Sequence, residues 1–118
     1  MVNLHLKKIL FLGLLTVSFN TSADTDKELL IQRCRDLSES IISLVSSQGK
    51  KSCVEKLGTA SLQIETAGEW IMNDNPVIAK QELDYAIFSL QYAELNNCNR
   101  YIQISHSKFE AQKIRNSL

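Results

Sequence analysis

Chemistry in this 118-residue chain would have to come from Cys34, Cys53, Cys98 and His106, or from paired carboxylates such as Glu65 and Glu69. A thiol nucleophile needs a base within reach and a group to orient that base. His106 is the one histidine after residue 23, and on a helix its sequence neighbours Ser105 and Ser107 point away from its ring. Glu110 lies one turn further on, so an ordinary His106–Glu110 surface pair is expected rather than a catalytic Cys34–His106 pair. Metal ligation lacks the CxxC or HxxxH spacing that brings donors together. Glu65 and Glu69 sit one turn apart, but no Glu-x-x-His motif accompanies them, as a di-metal bundle requires. Covalent haem needs CxxCH, which is missing. Non-covalent haem would have to use Met72 and His106, which fall at different levels of the chain. The reading is therefore of a non-enzyme with no catalytic residue, no metal ligand and no cofactor.

The elements that would position these residues are all helical. Gly49 in "SSQGKKS", Pro76 in "NDNPV" and the polar stretch "NNCNR" break the chain into segments with helical periodicity. The expected fold is all-α, a small antiparallel four-helix bundle with helices at roughly 25–47, 51–73, 76–96 and 99–116. In the first, Leu30, Cys34, Leu37, Ile41, Leu44 and Val45 share a face. In the second, Cys53, Leu57, Ala60, Ile64, Ala67 and Ile71 recur at spacings of four and three, as in a coiled-coil seam. Asp24 or Thr25 can cap the first helix, and Glu28, three residues after Thr25, completes a capping box. Asp74 or Asn75 caps the third, with Pro76 at its favoured first-turn position.

Helix order then selects a disulfide. With a reversal at Pro76, Cys53 lies 23 residues before the turn and Cys98 lies 22 after it, so both reach one end of the bundle. Cys34 precedes the Gly49 turn by 15 residues and Cys53 follows it by four. That offset is roughly 16 Å along a helix, well beyond the roughly 7 Å Cα limit for a bridge. The expected pair is Cys53–Cys98, with Cys34 a free thiol in the core.

Residues 1–23 carry Lys7 and Lys8, an apolar run from Ile9 to Phe19, and a small-residue tail at Thr21-Ser22-Ala23. This is the layout of a secretory signal peptide, with cleavage between Ala23 and Asp24 and a single domain at 24–118. An apolar run of eleven residues reaches roughly 17 Å, short of the roughly 30 Å hydrocarbon core. The expected location is periplasmic or secreted, without membrane insertion after cleavage. Beyond residue 23 there are 11 basic and 13 acidic residues. Nucleic acid is therefore not an expected partner.

One stretch exceeds what an amphipathic helix needs. In "LDYAIFSLQYAEL", residues 83–95, Leu83, Ala86, Ile87, Leu90 and Ala93 line one face, while Tyr85, Phe88, Tyr92 and Leu95 gather on nearly the opposite one. Two accounts remain open at this point. Either the third helix is the most central and packs on both sides, or Tyr85, Phe88, Tyr92 and Leu95 form a surface for another protein or a second copy of the chain. The functional expectation is an exported, non-enzymatic protein-binding bundle of immunity, inhibitor, chaperone or assembly-factor type. The alternative is a small-molecule or haem carrier using the bundle interior.

Overall fold

The computed structural model describes residues 26–118. The expected signal segment with its cleavage point, and the expected Asp24 or Thr25 cap, lie outside the described residues. Among those residues there are four helices packed against one another and no strand. They are α1 (26–43), α2 (Lys51–Met72), α3 (Pro76–Leu95) and α4 (Tyr101–Asn116).

Contacts between helices run in opposite directions along the chain, which makes each neighbouring pair antiparallel. Between α1 and α2, Lys27 meets Asp74 just past the end of α2, and Ser38 meets Ser61. Between α3 and α4, Asp84 meets Arg115 and Glu94 meets Lys108. Arg33 of α1 reaches Glu110 of α4, closing the ring. The helices thus follow one another around an up-down-up-down bundle, the arrangement that short connections favour.

The core is the sum of the four seams. Cys53, Leu57, Ala60, Ile64 and Ala67 of α2 are buried, as are Ala79, Leu83, Ala86, Leu90 and Ala93 of α3. Ile41, Ile104, Ala111 and Ile114 complete it. Alanine at so many inward positions lets the helices approach closely. Gly68 sits at a close approach of α1 and α2, since a Cβ there would lie 3.2 Å from the Cys34 Cβ. Nearby, the Ser38 and Ser61 hydroxyls lie 2.9 Å apart, and each is within hydrogen-bond reach of the other's backbone carbonyl. Two polar side chains are thereby satisfied inside a small-residue interface, as burial requires.

Local chemistry explains where the helices start and stop. The Asn75 side chain accepts from the Ile78 N–H at 3.2 Å, and Pro76 takes the first turn, as expected. The first helix ends earlier than expected. After residue 43 the chain tightens into a 3-10 turn at Val45–Ser47, with Leu44 N–H donating to Ile41 O. Ser43 and Ser47 hydroxyls donate to the carbonyls three residues back, and the Gln48 amide also caps Leu44 O. These side chains compete for carbonyls that a continuing helix would use. The last helix begins at Tyr101 rather than 99 because Arg100 has φ 68°, a left-handed conformation that interrupts helical propagation.

Cys53 and Cys98 are bonded, with Cα atoms 5.6 Å apart, and Cys34 is free and buried. The same end is tied by polar contacts. Gln48 and Asn99 exchange two hydrogen bonds of 2.8 Å, and Lys50 donates to Asn96 O at 3.0 Å. The connection entering α2 therefore grips the connection between α3 and α4.

Candidate docking surfaces

The face of α3 opposite the core is open. Tyr85 is 47% exposed, Phe88 67%, Tyr92 37% and Leu95 75%, whereas Leu83, Ala86, Leu90 and Ala93 on the other side are fully buried. The account in which α3 packs on both sides does not hold for this bundle. Its neighbours α2 and α4 flank it and leave the outer face uncovered. Both tyrosines are held in place at their edges: the Lys56 ammonium lies 4.8 Å above the Tyr92 ring, and Gln81 Nε2 donates to Tyr85 Oη at 3.2 Å. Positioned aromatics with accessible apolar area are the side chains that dominate protein interfaces. Val77 extends the stripe, being exposed and three turns before Phe88. Its position is legible in the periodicity once the stripe is followed back to Pro76.

A second feature was not foreseen from the sequence. Between α1 and α2 runs an open groove of about 510 Å³, floored by Ser38, Gly58, Ser61 and Gly68 and flanked by the exposed apolar side chains Ile42, Leu62 and Met72.

The chemistry-bearing residues are not brought together. Cys34 packs against Gly68 on the α1–α2 side, and burial pushes its thiol up to about 11 despite the opposing influence of Arg33. A thiol so placed is protonated at neutral pH and is a poor nucleophile. His106 is exposed and lines a shallow depression between α1 and α4. The expected His106–Glu110 pair is replaced by others: Glu110 lies 3.6 Å from Arg33 and 3.4 Å from Lys113. Tertiary packing of α1 alongside α4 supplies Arg33, and Lys113 one turn on in α4 supplies the second cation. Met72 lines the α1–α2 groove, so Met72 and His106 face different grooves. Among the described residues, no group of three or more His, Cys, Asp or Glu side chains converges, and no helix is long and apolar enough to cross a membrane.

Glu94 is a secluded carboxylate, its side chain 8% exposed. It accepts from Lys108 Nζ at 2.6 Å and from Ser105 Oγ at 2.5 Å. Burial by itself would raise its pKa, but the hydrogen bonds from Lys108 and Ser105 and the Lys108 charge outweigh it and hold the carboxyl below its ordinary value. A lowered folded value means stabilisation that is present above the unfolded carboxylate pKa of about 4.3 and lost as pH falls through the folded one. Glu94→Gln is expected to cost about 1–3 kcal/mol at neutral pH. Urea titrations of both proteins should show this gap closing below about pH 4.

The fold and its surfaces define an all-α, disulfide-linked, up-down-up-down bundle with apolar outer faces. No protein family, curated protein or solved structure matches the chain.

Proposed function

We propose that the chain is an exported, non-enzymatic helical-bundle protein that acts by binding another protein, in the manner of an immunity protein, inhibitor, chaperone or assembly factor. The observation that carries this reading is the uncovered Tyr85–Phe88–Tyr92–Leu95 face on a helix whose other face is fully buried. Isolated surface leucines need no explanation, but a continuous apolar stripe on one outer helix face does. The core is filled by Ile41, Leu57, Ile64, Leu83, Leu90, Ile104 and Ile114, which favours recognition at the surface over carriage inside. Export is supported by the signal-like residues 1–23 and by the Cys53–Cys98 bond, since disulfides persist in oxidising compartments. Mass spectrometry of the chain from its native host should give an N-terminus at Asp24.

The test of binding is co-purification from the periplasmic or secreted fraction with wild-type and Tyr92→Asp chains. Tyr92 sits at the surface, so the variant should keep its helical circular dichroism and melting behaviour. Loss of a hot-spot tyrosine is expected to weaken the complex by at least 2 kcal/mol, roughly thirtyfold. A partner retained undiminished by a folded Tyr92→Asp chain would remove this face from the function.

A further inference from the structure

We propose that the groove between α1 and α2 is the docking site for a cationic, amphipathic helix supplied by a partner protein. Three observations converge on it, and none draws on the Tyr85–Phe88–Tyr92–Leu95 face.

The first is shape. The groove floor carries small residues from both helices, and its apolar borders are Ile42, Leu62 and Met72. Along α2 it extends from Gly58 to Met72, about 21 Å at helical rise, which is the length of a four-turn helix. A groove of this form takes the apolar face of an incoming helix.

The second is charge. Glu39, Glu65 and Glu69 border the groove against a single cation, Arg35. Among the described residues none of these three carboxylates has an ion-pair partner, which is also true of Asp26, Glu28, Asp36 and Glu82; what sets the three apart is that they line one groove together. Their placement also opposes the stability of α2. Glu65 and Glu69 are like charges one turn apart. Glu69 lies in the last turn of α2, at the negative end of the helix dipole, where no basic residue accompanies it. Lysines or arginines flanking the apolar face of a docked helix would supply the missing counter-charges.

The third is Gly58. Glycine is the least favourable residue after proline in a helix interior. Gly68 has an internal reason, the close approach of Cys34. Gly58 has none: a Cβ there would meet nothing within 4 Å. The fold does not require the missing side chain, and an external backbone lying in the groove would.

The experiment uses the oxidised chain and two synthetic 18-residue probes, one with leucines at helical i, i+3, i+4, i+7 spacing and lysines elsewhere, the other with glutamates replacing the lysines. The lysine probe should bind, weaken as salt rises, and shift NMR resonances of α1 and α2; the glutamate probe should not bind. Gly58→Leu should fill the groove and reduce lysine-probe affinity at least tenfold without lowering the melting temperature. The Glu65→Gln, Glu69→Gln double variant should melt at or above the parent temperature, lose affinity at least fivefold and lose most of the salt dependence. Phe88→Asp should leave affinity unchanged, which separates this site from the α3 face. Equal binding of both probes, a resonance footprint on α3, or undiminished affinity in the folded glutamine variant would each overturn the proposal. So would self-association of the free chain abolished by Gly58→Leu, because the occupant would then be a second copy.

Discussion

Removing the Cys53–Cys98 bond is expected to lower the unfolding free energy by about 2–4 kcal/mol. The bond joins residues 45 apart, so it withdraws a long loop's worth of conformational freedom from the unfolded chain. It also fastens the first turn of α2 to the α3–α4 connection, the place from which α4 departs. A domain of this size has roughly 5–15 kcal/mol in total, so the loss is a large fraction. Urea unfolding of a Cys53→Ser, Cys98→Ser chain at neutral pH measures it. Gln48, Asn99, Lys50 and Asn96 grip the same junction through hydrogen bonds, so the variant should remain folded in the absence of denaturant. Equal stability with and without the bond would mean that this polar clasp alone fixes the junction.

The second large effect contrasts two residues of one helix. Leu90→Ala should cost about 2–5 kcal/mol, since Leu90 is fully buried and its truncation leaves a cavity among close-packed helices. Phe88→Ala, two positions earlier, should fall within about 0.5 kcal/mol of the parent because the ring is 67% exposed. Paired denaturation curves decide the matter. A Phe88→Ala cost approaching that of Leu90→Ala, at concentrations where the chain is monomeric, would show that the outer face of α3 is covered in solution.

The two proposed sites differ in how much of each is written in local sequence. The Tyr85–Phe88–Tyr92–Leu95 stripe is a periodicity, and periodicity survives translation into structure because a helix maps spacing onto angle. The same reasoning places the seam of α2, the Asn75 cap and Pro76. It also supports the Cys53–Cys98 pairing, which needs only helix lengths and a reversal at Pro76. Boundaries were less legible. Residues 44–47 carry helix-compatible side chains, yet Ser43, Ser47 and Gln48 turn back onto nearby carbonyls, and Arg100 adopts a backbone conformation that its residue type does not announce.

Other features exist only because helices distant in sequence lie side by side. Glu94 is one of several charged residues of α3 until α4 folds back and brings Lys108 and Ser105 to it. Glu110 is a neighbour of His106 in sequence but a partner of Arg33 in space. Gly58 and Gly68 read alike in the sequence; Cys34 packing against one and nothing against the other distinguishes them. Sequence by itself determined the helices, their inward seams and the disulfide, since these follow from spacing along one chain. Tertiary structure decided that the second face of α3 stays uncovered and that a groove with unpaired carboxylates opens between α1 and α2, because exposure is set by which helices stand next to one another.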